Sequence, residues 1–152
     1  MTTDSRIGTA LAGYRIQRMI GRGGMGSVYL AEDQAMGRRV ALKILSSELA
    51  SDQGFRDRFI RESRVAASIE DPNIVPIYEA GESAGTLFIA MRYVEGTDLK
   101  ALINREGALA PERVVSILGQ VASALDAALD QGLVRLFWPT PGSVPGGHSR
   151  HL

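Results

Sequence analysis

Five short apolar stretches lie in the first two thirds of the chain, and two of them, residues 27–31 and 39–45, alternate between apolar and polar positions with a period of two. Each stretch is rich in β-branched or aromatic residues, which is typical of strands with one buried face. The predicted strands cover residues 14–20, 27–31, 39–45, 74–80 and 86–94. The pattern therefore predicts a five-stranded antiparallel sheet.

One helix is predicted between the third and fourth strands, where the apolar period lengthens to that of a helix. The serines and acidic residues within 46–52 supply its capping groups, and the Asp-Pro-Asn sequence at 71–73 ends it. Its core-facing positions are Phe55, Phe59, Glu62, Ala66 and Ile69. Glu62 is either a solvated carboxylate or an inward one. An inward carboxylate needs a cation such as Lys43, because an unpaired buried charge costs on the order of several kcal/mol.

Two further helices are predicted in the last third of the chain. The first begins at Leu99, and Asp98 before it can either cap this helix or reach a ribose or a substrate. The second begins near Pro111, a residue that suits the first turn of a helix. Its apolar stripe has the spacing of a core face and consists of Val114, Ile117, Leu118, Val121, Leu125 and Leu129. Sheet and helices together predict an α+β fold.

The connection between the first two strands is rich in glycine. Gly21, Gly23 and Gly26 have the spacing G-x-G-x-x-G, and Gly24 adds a fourth glycine. Without Cβ atoms, such a turn lets the backbone approach a phosphate closely. The same spacing also opens the βαβ units of dinucleotide-dependent oxidoreductases. That alternative is disfavoured, because the residues after Gly26 have the pattern of a strand and not of a helix.

A lysine lies on the third predicted strand. In Val40-Ala41-Leu42-Lys43, the period of two places Ala41 and Lys43 on one face. Together with the glycine pattern and Val28, this sequence resembles the protein-kinase signature G-x-G-x-x-G-x-V plus V-A-I-K. The sequences at 14–16 and 71–75 are similar to those of bacterial, actinobacterial receptor-like serine/threonine kinases. The resemblance covers residues 12 to 134.

The resemblance implies a kinase N-lobe and hinge over residues 13–96, followed by the first helices of an incomplete C-lobe over residues 97–134. It implies that Lys43 and Glu62 form an ion pair, with Lys43 also holding the phosphates of ATP. By the same resemblance, the Met91 side chain would line the back of the adenine pocket. The residues expected to bind ATP are Ile20, Gly21, Gly23, Gly24, Gly26, Val28, Ala41, Lys43, Met91, Tyr93 and Val94.

The motifs that carry catalysis in the resembling kinases are missing from the sequence. The family has H-R-D-x-K-x-x-N after the helix that begins here at Pro111, and an Asp-Phe-Gly metal site beyond it. Residues 135–152 contain neither motif and show neither period. We interpret them as a non-family, disordered tail, with a frameshift near Val134 as a hypothesis. The family's Mg²⁺ would then lack its ligands, so no metal-binding residue is assigned.

Composition limits the partners and the location. The chain has 152 residues, 45% of them hydrophobic, with 17 basic and 17 acidic residues. One domain with a core is therefore expected, and no nucleic-acid partner. The sequence has no cysteine, no signal peptide and no membrane-spanning run, which suits a cytoplasmic location. Residues 1–12 are small and polar and are predicted to be a flexible leader.

The predicted function is that of an ATP-binding serine/threonine protein kinase by family resemblance, catalytically incompetent in these 152 residues and with ATP binding weak or absent. The alternative is a non-catalytic interaction module that binds another kinase or a regulator. By resemblance, the partners are a protein substrate or a partner kinase, and an N-lobe homodimer is one such assembly. Lys43→Met distinguishes the two functions, because activity would vanish and partner binding would survive.

Overall fold

The structure, a computed structural model, describes residues 4–133. Within that range the strands are β1 (Ala10–Leu11), β2 (Tyr14–Gly23), β3 (Gly26–Asp33), β4 (Arg38–Leu45), β5 (Ile77–Ser83) and β6 (Thr86–Arg92). The helices are α1 (Ser47–Ser51), α2 (Gln53–Ala67), α3 (Leu99–Glu106) and α4 (Pro111–Asp130). The predicted α+β class is confirmed.

The strands form one antiparallel sheet in the order β1-β2-β3-β4-β6-β5. The sheet curls on itself. Strands β2 and β5 lie near opposite ends of this order, and yet they contact each other. The Tyr14 hydroxyl donates a hydrogen bond of 2.7 Å to Glu79 Oε2, and the rings of Tyr14 and Phe88 pack at 6.1 Å. Burial and the bond to Glu79 raise the pKa of Tyr14 well above its usual value.

The inner face of the curled sheet carries the main core. Alternation along the strands directs every second side chain inward. The buried members are Tyr14, Ile16, Tyr29, Ala31, Val40, Leu42, Ile44, Phe88 and Ala90. Removing each large apolar side chain from water stabilises the fold by about 1.5–3 kcal/mol, so this cluster dominates the stability of the sheet.

Helices α1 and α2 pack on the outer face of the sheet. Leu45 and Leu87, with outward-facing side chains, form a second buried cluster with Ala50 of α1 and Phe59 of α2. Asp52 caps α2 by accepting a 2.7 Å hydrogen bond from the Phe55 amide.

An arginine ties α2 to the edge strand β5. Arg56 donates to the Ala50 carbonyl at 3.0 Å and forms a salt bridge with Glu82 of β5. These contacts fix the position of the helix along the sheet.

The structure differs from the prediction of a flexible leader over residues 1–12. Ala10 and Leu11 form β1, which pairs with the start of β2. Upstream, the fully buried Tyr29 donates its hydroxyl proton to Asp4 Oδ2 at 2.7 Å. That hydrogen bond is the main reason why the pKa of Asp4 lies below its usual value. The described residues therefore make a six-stranded sheet where five strands were predicted.

The helical region also differs from the prediction in detail. Residues 46–52 include the short helix α1, so two helices lie between β4 and β5 where one was predicted. Helix α2 ends at Ala67, because Ser68 takes the C-cap position, and Ile69 lies outside it. Strand β5 begins at Ile77, three residues later than predicted, and β6 ends at Arg92, two residues earlier.

Candidate nucleotide-binding site

The glycine-rich turn joins β2 and β3 as a hairpin, as the strand pattern after Gly26 predicted. Gly26 has a φ of 141°, and a Cβ atom there would clash with the carbonyl oxygen of Ile44. Gly26 is therefore required for packing of the hairpin against β4. Cβ atoms at Gly23 and Gly24 would meet nothing within 4 Å. The backbone at these two positions is open and can be approached by a phosphate.

The strand register brings the predicted nucleotide-binding residues to one face. Val28 pairs with both Gly21 and Lys43, and Ala41 pairs with Met91. Side chains at directly paired positions share a face, so Val28, Ala41, Lys43 and Met91 all lie on the outer face, under the hairpin. Ile20, 38% exposed, lies at an irregularity in the pairing between Met19 and Gly21. These four predicted residues therefore share one face of the sheet, and their role in nucleotide binding stays a prediction.

The ion pair predicted between Lys43 and Glu62 is not formed. In residues 4–133, no Glu62 oxygen lies within 4.0 Å of the Lys43 ammonium group, and Glu62 Oε1 is instead 3.6 Å from Arg61. Glu62 Oε2 is buried without a hydrogen-bond partner. The Arg56 contacts and the second buried cluster hold α2 against the sheet, and none of these contacts involves Lys43.

The predicted hinge follows β6. Tyr93 and Val94 lie just beyond the end of this strand at Arg92, and Val94 is 61% exposed. Two arginines that no sequence motif singled out contact Tyr93. The Arg18 guanidinium donates to the Tyr93 hydroxyl at 3.5 Å, the Arg39 guanidinium lies 5.7 Å from the ring centre, and Arg39 forms a salt bridge with Glu95. Arg39 shares the period-two face of Ala41 and Lys43, a signal that could have identified it.

The sequence allowed Asp98 either to cap α3 or to reach a ribose or a substrate, and in the structure it caps α3. Its carboxylate accepts a 2.7 Å hydrogen bond from the Ala101 amide and so caps α3. Among residues 4–133, no three His, Asp or Glu side chains come together as a metal site. Over the same range, none of the helices has the length and apolar character of a membrane span. The cytoplasmic location stays a prediction.

Comparison with known proteins agrees with this geometry. The family model described as protein kinase domain matches residues 14–135, so the chain belongs to the protein kinase family. Serine/threonine-protein kinase PknE of Mycobacterium bovis is 50% identical over 127 residues, which are 84% of this chain and 22% of PknE. PknH of Mycobacterium tuberculosis is 46% identical over 131 residues, 86% of this chain and 21% of PknH.

Solved structures agree with the fold. The crystal structure of the M. tuberculosis PknI kinase domain superposes with a TM-score of 0.74 at 42% sequence identity, covering 82% of this chain and 51% of that one. The predicted resemblance to bacterial serine/threonine kinases and the kinase-like fold are thus confirmed. The chain spans about a fifth of the length of the curated relatives it matches.

Proposed function

We propose that residues 13–96 are the N-lobe of a serine/threonine protein kinase and that the outer face of the sheet covers ATP. The observation that carries this proposal is the register that aligns Val28, Ala41, Lys43 and Met91 beneath the glycine hairpin. Val28 and Ala41 would contact adenine from above, and backbone groups of residues 92–94 would meet its edge. Lys43 would neutralise phosphate charge, the main task of the protein in phosphoryl transfer.

Within these 152 residues, we further propose that ATP binds weakly or not at all and that no phosphoryl transfer occurs. The sequence contains no His-Arg-Asp and no Asp-Phe-Gly motif to supply a base and Mg²⁺ ligands. Loss of a general base alone costs about 10²–10⁴-fold in rate. Within residues 4–133, Glu62 forms its salt bridge with Arg61 and none with Lys43, so Lys43 lacks the carboxylate that would orient it. Useful affinity requires most of a ligand to be buried, and the outer face offers one wall.

A titration of the chain with ATP, followed by backbone NMR, tests the nucleotide site. We expect small shift changes that do not saturate, confined to residues 21–28, 41–43 and 91–94. Lys43→Met should abolish them, whereas Lys100→Met, which removes an exposed lysine on α3, should not. Shift changes that persist in Lys43→Met would contradict the site. Saturable micromolar binding by calorimetry, or radiolabel transfer to a protein substrate, would contradict the proposed weakness or inactivity.

A second candidate function is a non-catalytic module that binds a partner kinase, a regulator or a second copy of this chain. It is favoured by α4, whose apolar stripe is open to solvent. Leu118 and Leu125 are each 59% exposed, and a contiguous apolar surface of this kind marks interaction sites. Sedimentation velocity should show self-association that Leu118→Ser with Leu125→Ser abolishes. Val115→Ser, at an exposed apolar position outside the predicted stripe, is the matched control, and equal loss in both variants would contradict a role for the stripe.

A further inference from the structure

A pocket of about 270 Å³ lies behind the glycine hairpin, between the N-terminal segment, the hairpin and the junction of β4 with α1. The residues of this pocket that the argument uses are Arg6, Arg22, Gly23, Gly24, Ser27 and Ser46. None of the sequence motifs singled out this group, because Arg6 and Ser46 lie far from the glycines along the chain.

The pocket is distinct from the candidate nucleotide site because it lies on the opposite face of the sheet. Ser27 pairs with Ile44, and both line the pocket. The next pair along the two strands is Val28 with Lys43, which points to the outer face. A group bound in the pocket would therefore contact the back of the hairpin, away from Lys43.

The chemistry of the lining suits an anion. In the described part of the chain, the guanidinium groups of Arg6 and Arg22 make no salt bridge. Among residues 4–133, the Ser46 hydroxyl oxygen has no hydrogen-bond partner and is inaccessible to solvent. Hydrogen bonds from the Tyr29 hydroxyl and the Arg6 amide, with the charges of Arg6 and Arg22, lower the pKa of the nearby Asp4 carboxyl group. Asp4 is therefore ionised and offsets part of the charge of the two arginines. Within the described residues, two arginines that make no salt bridge, the Ser46 hydroxyl and open glycine backbone thus line the pocket, and with one Asp4 carboxylate beside them the net charge remains positive.

We propose that this pocket binds a phosphate monoester, presented by a phosphorylated serine or threonine side chain. Arginine guanidinium groups bind phosphate oxygens in paired, charge-assisted hydrogen bonds. The volume lies just below the range of about 300–1,000 Å³ typical of sites for drug-sized ligands, so it suits a phosphate group with the side chain that carries it. Inorganic phosphate shares this chemistry and is the other source to be distinguished.

The test is a calorimetric titration of the 152-residue chain at fixed ionic strength. The probes are a phosphoserine peptide, its unphosphorylated twin and inorganic phosphate. We expect the phosphopeptide to bind, and Arg6→Gln or Arg22→Gln to weaken it roughly tenfold to hundredfold, the effect of losing a hydrogen bond between charged groups. Ser46→Ala should weaken it less. Both arginines are exposed, so these variants should keep the fold, which circular dichroism checks.

Two control variants separate this site from the alternatives. Arg64→Gln removes an exposed arginine of α2 and should leave binding unchanged, and equal weakening would show general charge attraction and overturn the site. Lys43→Met should also leave phosphopeptide binding unchanged. Loss of binding in Lys43→Met would place the ligand on the nucleotide face, so this proposal and the proposed ATP site can fail independently. Equal affinity for inorganic phosphate would overturn the peptide source, and no binding of any phosphate probe would overturn the proposal.

Discussion

The curled sheet and helix α4 contain similar apolar side chains but bury them very differently. Tyr29, Leu42 and Phe88 of the sheet are at most 1% exposed. Helix α4 has no buried residue in the described structure, and Leu125 is 59% exposed. Both elements follow their apolar period, so the period predicts the element and its apolar face. It does not predict whether a partner for that face lies within the same stretch of sequence.

Core truncation in the two elements should show the largest difference. Phe88→Ala should lower the free energy of unfolding by about 3–5 kcal/mol, because it opens a cavity in the inner-face core. Leu125→Ala, at an exposed helix position, should change it by about 0.5 kcal/mol or less. Urea denaturation monitored by far-ultraviolet circular dichroism measures both values. Similar losses in the two variants would mean that α4 is packed in solution and would remove the contrast.

Two glycines of the hairpin differ in the same way, because Gly26 is packed against β4 and Gly24 is open. Gly26→Ala should destabilise the sheet by about 1–3 kcal/mol, since the left-handed backbone is strained by a side chain and the new Cβ clashes with the Ile44 carbonyl. Gly24→Ala is the matched control, because a Cβ there meets nothing within 4 Å. Thermal unfolding of the two variants compares them. A Gly24→Ala loss as large as that of Gly26→Ala would contradict the packing role assigned to Gly26.

The closure of the sheet should depend on one hydroxyl. Tyr14→Phe keeps the ring contact with Phe88 but loses the hydrogen bond to Glu79, so we expect a loss of about 0.5–1.5 kcal/mol. Tyr78→Phe serves as the control, since Tyr78 contacts Arg38 through its ring and not through its hydroxyl. Equilibrium denaturation would contradict the prediction if both variants had wild-type stability.

The smallest expected effect concerns the β3–β4 turn and its dependence on pH. Burial opposes ionisation of Asp33, but hydrogen bonds from the amides of Met36 and Ala35 and from Arg38 outweigh it, so the pKa of Asp33 is lowered from its usual 3.8. A lowered pKa gives stability that is present above pH 3.8 and is lost as the pH falls through the folded-state pKa.

Asp33→Asn should therefore reduce stability at neutral pH and flatten its decline in acid. Denaturation midpoints measured from pH 7 down to about pH 2 test this slope around the carboxyl pKa. Asp126→Asn, on the exposed surface of α4, controls for the loss of one carboxylate. An unchanged acid slope in Asp33→Asn would contradict a stabilising role for the turn.

The sequence predicted the parts of the fold that repeat a period. Alternation located the strands that carry Val28 and Lys43, and it placed Ala41 and Lys43 on one face. Strand β1 was missed because its two residues, Ala10 and Leu11, are too few to show a period. Its existence depends on pairing with β2, a tertiary contact.

The candidate site could be predicted as a set of residues but not as an arrangement. The distance between Lys43 and Glu62 depends on where α2 sits, and the salt bridge from Arg56 to Glu82 helps to set that position. The local sequence around Glu62 does not indicate where α2 lies on the sheet. The pocket behind the hairpin was missed for a similar reason, because Arg6 and Arg22 become neighbours only when the N-terminal segment folds over the sheet.

The hydrogen bond between Tyr29 and Asp4 shows that the folded domain begins earlier in the chain than its similarity to the kinase family. Sequence similarity to the kinase family begins at residue 14, whereas the folded unit already includes Asp4. A version of the protein trimmed to the similarity boundary would leave the hydroxyl of a fully buried tyrosine without its acceptor, at a cost of about 1–3 kcal/mol. Residues before the family segment therefore stabilise the sheet, and expression of this domain should begin before Asp4.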